Sequence, residues 1–258
     1  MNSIFLYVEK NGEITITGLK EGVSDTSIVI PETIDGMPVV EIGPKAFEFS
    51  TITDIKIGKN IKKIGEKAFY MCNKLRSVTW SHKCDVIPVG CFFGCSNLMQ
   101  FDFSGIKKIG GRAFYESGLQ EVCLTENTEV VSKKAFSCCK ILRTVIWNCK
   151  CNVIPVECFV RCSNLTKFDF SSVKRIEAYA FWRSGLTSVT LSKKTEVDQN
   201  CFAYCNDLEK IEWLSGRAIK DSIFEGCKHI KEIFISDSVK NIEASAFASS
   251  PNAEITFV

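Results

Sequence analysis

Two stretches of the chain carry cysteines at matching offsets. Residues 84–95 read CDVIPVGCFFGC and residues 151–162 read CNVIPVECFVRC, so Cys84, Cys91 and Cys95 recur as Cys151, Cys158 and Cys162. With His82 ahead of it, the first set is H-x-C-x6-C-x3-C, four ligands of the types that tetrahedral zinc takes; Cys149 replaces His82 in the second copy. Cysteine-built zinc sites usually show paired C-x2-4-C knuckles, which neither copy has. Acid–base and nucleophilic chemistry have even less to work with. The chain holds two histidines, His82 and His229, in distant segments, so no triad forms around either. Gly110-Gly111 lacks the lysine and following helix of a phosphate loop. Asp102 and Asp169 are the most enzyme-like carboxylates. Three coils of roughly 4.8 Å separate them by about 14 Å, beyond the about 5–9.5 Å of glycosidase pairs. The expectation is no catalysis, no cofactor and no metal.

The elements around these cysteines explain them better. Phenylalanine recurs at 47, 69, 92, 114, 136, 159, 181, 202, 224 and 247, every 21 to 23 residues. An aliphatic residue stands five before each (Ile42, Ile64, Ile87 and onward), a small or apolar residue directly before, and Ser or Cys three after. A segment L-x-x-V-x-φ follows, as in Leu75, Val78 and Trp80, whose period of two reads as a strand with one buried face. One 22-residue unit cannot bury that face alone, whereas a stack of them can. Eleven of the fourteen cysteines then fall in columns that other coils fill with small or apolar residues. Free cysteine is a small hydrophobe and suits such sites. Stacked pairs such as Cys72 with Cys95, Cys139 with Cys162, or Cys205 with Cys227 come within disulfide range, although their parallel side chains oppose the required dihedral. Cys123, Cys138 and Cys149 lie outside the main columns and are the candidates for reactive or crosslinking thiols.

A longer period overlies the short one, because residues 63–129 and 130–196 are near copies. Residues 1–38 lack the phenylalanine and read as a β cap with turns at Asn11-Gly12 and Asp35-Gly36; residues 39–258 form the solenoid.

The pattern I-G-x-x-A-F-x-x-C-x-x-L-x-x-V, as in IGEKAFYMCNKLRSV at 64–78, resembles the BspA-type leucine-rich repeat, as does the lead-in ITGLKEGVSDTSIVIPETIDGMPVVEIGPKAF. The resemblance covers essentially the whole chain. It implies a right-handed leucine-rich-repeat solenoid of about ten 22–23-residue coils. A parallel sheet would line its concave face, with short strands or 3-10 segments on the convex side. Strand residues that alternate with the buried ones would face a partner, and Asp102, Cys123, Ile146, Asp169, Thr190, Glu212 and Phe234 are the candidate contacts.

The family includes surface adhesins, so the resemblance implies a cell-surface or secreted recognition protein whose partner is a host matrix or cell-surface protein. An intracellular interaction scaffold is the alternative. The formal charge of +2 argues against nucleic acid as partner. No apolar run reaches the roughly 18–20 residues of a membrane span. The N-terminal MNSIFLYVEKNGEITITG has neither a basic start nor a small-residue cleavage site, so no signal peptide is read in it.

Overall fold

The structure, a computed structural model, describes residues 3–81 and 84–258. His82, proposed above as a possible ligand, lies outside the described residues. Over the described residues the chain is a helix-free β-solenoid of about eleven turns with parallel strands. Four-residue strands stack on one face, from Asp54–Ile57 and Ser77–Trp80 to Glu232–Ile235 and Glu254–Phe257. Two-residue strands such as Lys63–Ile64 and Lys108–Ile109 line a second face. The expected 3-10 segments are not found among the described residues; hydrogen-bonded turns built around each phenylalanine take their place.

The additional turn comes from the N-terminal segment. It holds β1 (Phe5–Lys10), β2 (Glu13–Leu19), β3 (Ser27–Val29), β4 (Thr33–Ile34) and β5 (Met37–Ile42). β1 and β2 form an antiparallel hairpin, but β2 also runs parallel to β5 and sets Ile16 beside Ile42. β3 runs parallel to Asp54–Ile57 and sets Ile28 beside Ile55. The cap therefore already fills the aliphatic columns one turn early, without a phenylalanine, and Phe5 from β1 is buried among its residues.

Inside the stack the phenylalanines form a continuous spine. Phe47, Phe69, Phe92, Phe114, Phe136, Phe159, Phe181, Phe202, Phe224 and Phe247 stack ring on ring, with centroids 5.3–5.8 Å apart. Backbone bonds between coils hold the spine in place. From Phe47 to Phe202 the amide of each spine phenylalanine donates to the carbonyl preceding the next one, as in Phe92 to Ala113 O and Phe181 to Cys201 O, both 2.8 Å. Buried backbone groups are satisfied by neighbouring coils, as they must be in a structure without helices.

This turn requires left-handed backbone. In eight successive coils, from Phe47 to Phe202, the residues two before and two after phenylalanine have positive φ, and only Gly90 and Gly94 among them are glycine. Arg112, Tyr179 and Tyr204 adopt φ of 55°, 60° and 59°, a region that costs non-glycine residues roughly 1–2 kcal/mol. Arg112 is exposed, so its side chain loses little by removal. Arg112→Gly should raise stability by about 1 kcal/mol, seen as a higher urea midpoint. Lys108→Gly, on a strand with negative φ, should lower it. A lower midpoint for Arg112→Gly would show that the left-handed turn is not under strain.

The ladders have two shared gaps. Residues 100–103 and 167–170 form no strand, so the long-strand face divides into blocks ending at Ser77–Trp80, Glu121–Leu124 with Thr144–Trp147, and Ser188–Leu191 onward. In both gaps the inward Val or Ile of other coils is Phe101 or Phe168. Each of these wedges against the spine, Phe101 lying 4.9 Å from Phe114 and Phe168 lying 5.1 Å from Phe181. A ring in place of a β-branched side chain holds the backbone too far out to pair. The short ladder also breaks between Lys63–Ile64 and Val86–Ile87, and between Val130–Val131 and Val153–Ile154. There Pro88 and Pro155 occupy the position whose amide donates elsewhere, as Gly65 donates to Ile42 O and Gly110 to Ile87 O. Proline has no such hydrogen.

Candidate functional site

Asp102 and Asp169 were expected on strands of the partner-facing sheet, and here the structure corrects the sequence reading. Both lie in the two gaps, where each carboxylate accepts the amide two residues on, Ser104 and Ser171, at 2.9 Å. Such local bonding favours a turn over a strand. With Phe101 held inward by the spine, the backbone has left the sheet before it reaches the aspartate.

The other five candidates do sit on long strands, in two groups. Cys123 pairs in register with Ile146, and Ile146 is 49% exposed. Burial and the neighbouring Glu121 push the Cys123 thiol up to about 11, so it is neutral at physiological pH. A groove of about 480 Å³ runs from Cys123 and Glu121 across the first gap to Ser77 and Val78.

Thr190, Glu212 and Phe234 form the second group, joined by a residue absent from the candidate list. Lys210 binds Glu212 at 2.9 Å and lies 5.0 Å over the Phe234 ring. Thr190 Oγ1 donates to Glu212 at 3.1 Å. The bond from Lys210, aided by Thr190, holds the Glu212 carboxyl below the usual carboxylate range. The arrangement offers an aromatic face with its charges already paired, which suits contact more than proton transfer.

The cysteine columns have a role beyond filling space. Cys72, Cys95, Cys139, Cys162, Cys205 and Cys227 each donate Sγ–H to the carbonyl of the phenylalanine one coil earlier, at 2.9–3.2 Å. Ser50, Ser117 and Ser184 lie 3.3 Å from the next cysteine in the same column. All fourteen cysteines are free. Burial pushes the thiols of Cys139 and Cys205 up to about 12. Cys138, proposed above as reactive, is buried. Among the described residues no three His, Cys, Asp or Glu side chains are placed to hold a metal ion.

A second surface went unread in the sequence. One and two positions after the spine phenylalanines, Tyr70, Phe93 and Tyr115 stack at 4.7 Å on the outside of the turns, with Phe49 edge-on to Tyr70. Further along, Arg183 lies 4.4 Å over Trp182 and 5.5 Å from the Tyr204 ring. A groove of about 430 Å³ between Tyr115 and Trp182 is walled by Cys138, Arg161 and Tyr179. A hydrogen bond to the Cys138 thiol, together with burial, pushes the Tyr115 hydroxyl up to about 12. The signal was present, since these aromatics keep the 22–23-residue period; the columns beside the phenylalanine had gone untracked.

A family model described as the BspA type leucine rich repeat region matches six copies, over residues 21–142, 104–209 and 195–257. Among solved structures, a leucine-rich repeat protein from Bacteroides ovatus superposes with a TM-score of 0.72 at 23% identity, over 98% of this chain and 80% of that one. The pneumococcal vaccine antigen PcpA matches with a TM-score of 0.56 at 14% identity, over 100% of this chain and 92% of the antigen. A leucine-rich repeat protein from Eubacterium ventriosum matches with a TM-score of 0.52 at 13% identity, over 100% and 83%. No curated protein matches the chain in sequence. At these identities the structural likeness speaks for the fold alone.

Proposed function

Because the chain belongs to the BspA-type leucine-rich repeat family, we propose that it is a non-catalytic protein-binding module acting at a cell surface. It would hold a host matrix or cell-surface protein against its long-strand face. A repeat module of this kind presents an extended sheet to a macromolecule. The observation that carries the reading is the exposed Ile146 beside Cys123, an apolar anchor on a face lined mainly by polar and paired groups. Interfaces concentrate their energy in such anchors. The Phe234 ring beneath Lys210 supplies a second one. No helix among the described residues is long and apolar enough to cross a membrane.

The test is binding of the purified chain to immobilised soluble matrix proteins and to intact epithelial cells. Ile146→Asp combined with Phe234→Asp should weaken binding at least about tenfold, since a hot-spot truncation costs about 2 kcal/mol or more. The circular dichroism spectrum should not change, because Ile146 is exposed and Phe234 partly so. Undiminished binding would move the site away from this face. The fourteen free, mostly buried cysteines favour a second reading, an intracellular scaffold. Fractionation of the native cell with an antibody to this chain separates the two.

A further inference from the structure

The other thiols bond to backbone or to serine, tyrosine or glutamate side chains, whereas Cys149 and Cys151 lie against each other. Cys149 and Cys151 flank Lys150 in the loop that leaves strand Thr144–Trp147 and enters strand Val153–Ile154. Their Sγ atoms lie 2.7 Å apart, within hydrogen-bonding distance of each other. The loop is fixed from three sides. The Lys150 amide donates to Thr128 O at 3.0 Å, the Trp147 indole to Cys151 O at 3.0 Å, and the Lys174 amide to Asn152 O at 2.8 Å. Cys149 Sγ also lies 3.2 Å from Cys151 O. Both side chains are half-buried and so accessible to a small reagent, unlike the thiols of the inner ladder.

We propose that Cys149 and Cys151 form a dithiol site that exchanges with a low-molecular-weight disulfide and closes to an intrachain disulfide. A preset pair of sulfurs pays little entropy to join, and the loop between them is a single residue. The roles are unequal. Donation from Cys149 holds the Cys151 thiol below the ordinary cysteine value, while that bond and burial raise Cys149. The Cys149 S–H is also placed to donate to Cys151 O at 3.2 Å and so keeps its proton, which leaves Cys151 as the attacking thiol once ionised. Its sulfur attacks one sulfur of the small disulfide, the S–S bond breaks, and one thiolate leaves and takes a proton from water. Cys149 then gives its proton to water and attacks the sulfur of Cys151, expelling the second thiolate, which is protonated in turn. Two protein thiols are oxidised to one disulfide, and one small disulfide is reduced to two thiols.

The experiment uses the native chain in oxidised glutathione, quenched with acid and N-ethylmaleimide, then digested and mapped by mass spectrometry. A Cys149–Cys151 disulfide should form first, with the inner thiols labelled only after denaturation. Tryptophan emission should shift as the bond forms, because the Trp147 indole rests on Cys151 O. Cys149→Ser should stop at a glutathione adduct on Cys151, and Cys151→Ser should react at least tenfold more slowly than wild type at this loop. Glutathione appearing first on Cys123, or no Cys149–Cys151 disulfide on the wild-type chain, would overturn the proposal without recourse to either variant. So would Cys151→Ser reacting as fast as wild type.

Discussion

Phe136→Ala is expected to lower the unfolding free energy by about 3–5 kcal/mol, the range for a fully buried phenylalanine. Phe136 is buried and stacks on both Phe114 and Phe159, with Phe103 edge-on to its ring. Each spine ring belongs to two coils at once, so truncation opens a void that both neighbours line. In a one-dimensional stack such a loss weakens two interfaces and can uncouple the halves. Phe247, at the end of the spine, is only partly buried and stacks on Phe224 alone. Phe247→Ala should cost less than half as much. Urea titration followed by circular dichroism measures both. Equal losses at the two positions would mean that the rings act singly and the spine is not cooperative.

Gly118→Ala and Gly185→Ala should each cost about 3 kcal/mol, the upper end for overpacking, although alanine is the gentlest substitution available. These two coils are one residue shorter after the phenylalanine, reading Ser-Gly-Leu where others read Cys-x-x-Leu. The shortcut presses the glycine against the coil before it. A Cβ at Gly118 would lie 2.1 Å from Ser96 O, and one at Gly185 would lie 2.0 Å from Ser163 O. Both obstacles are backbone and cannot rotate away. The amides of the two glycines donate to Cys95 O and Cys162 O at 3.1 Å, so retreat also breaks a buried bond. A urea midpoint within error of wild type for either variant would show that the coil can widen freely.

The period of the phenylalanines made the stack legible, because one residue type at one interval needs no knowledge of its neighbours. The cysteine columns were legible for the same reason, and Cys91 and Cys158 are buried as their columns required. Features that depend on how one coil meets the next were harder to read. Phe101 keeps the apolar pattern of a strand, yet it is too large for the position, and Asp102 was assigned to a sheet it does not join. The left-handed residues escaped notice because lysine, arginine and tyrosine occupy half of those positions, held there by bonds between coils. Cys151 shares a column with Ile61 and Val173, which gave no hint that Cys149 would reach it. The eleventh turn was hidden because Ile16, Ile28 and Ile30 fill the core without the phenylalanine that marked the others.

The paired gaps bear on how the molecule bends. Where Ser77–Trp80 meets residues 100–103, and where Thr144–Trp147 meets residues 167–170, the long and short ladders are both open. At the first joint the backbone bonds across are those of the turn around the phenylalanine, among them Lys67 to Val89 O and Phe69 to Cys91 O; at the second, Lys134 to Val156 O and Phe136 to Cys158 O are joined by the Lys150 amide to Thr128 O. The solenoid is thus three slabs bound mainly along one side, like pages along a spine of paper. Its compliance is directional, since the slabs can fan apart at the long-strand face while the bound side stays closed. A partner wider than the resting sheet is met by opening two joints, and no backbone hydrogen bond of the slabs has to break.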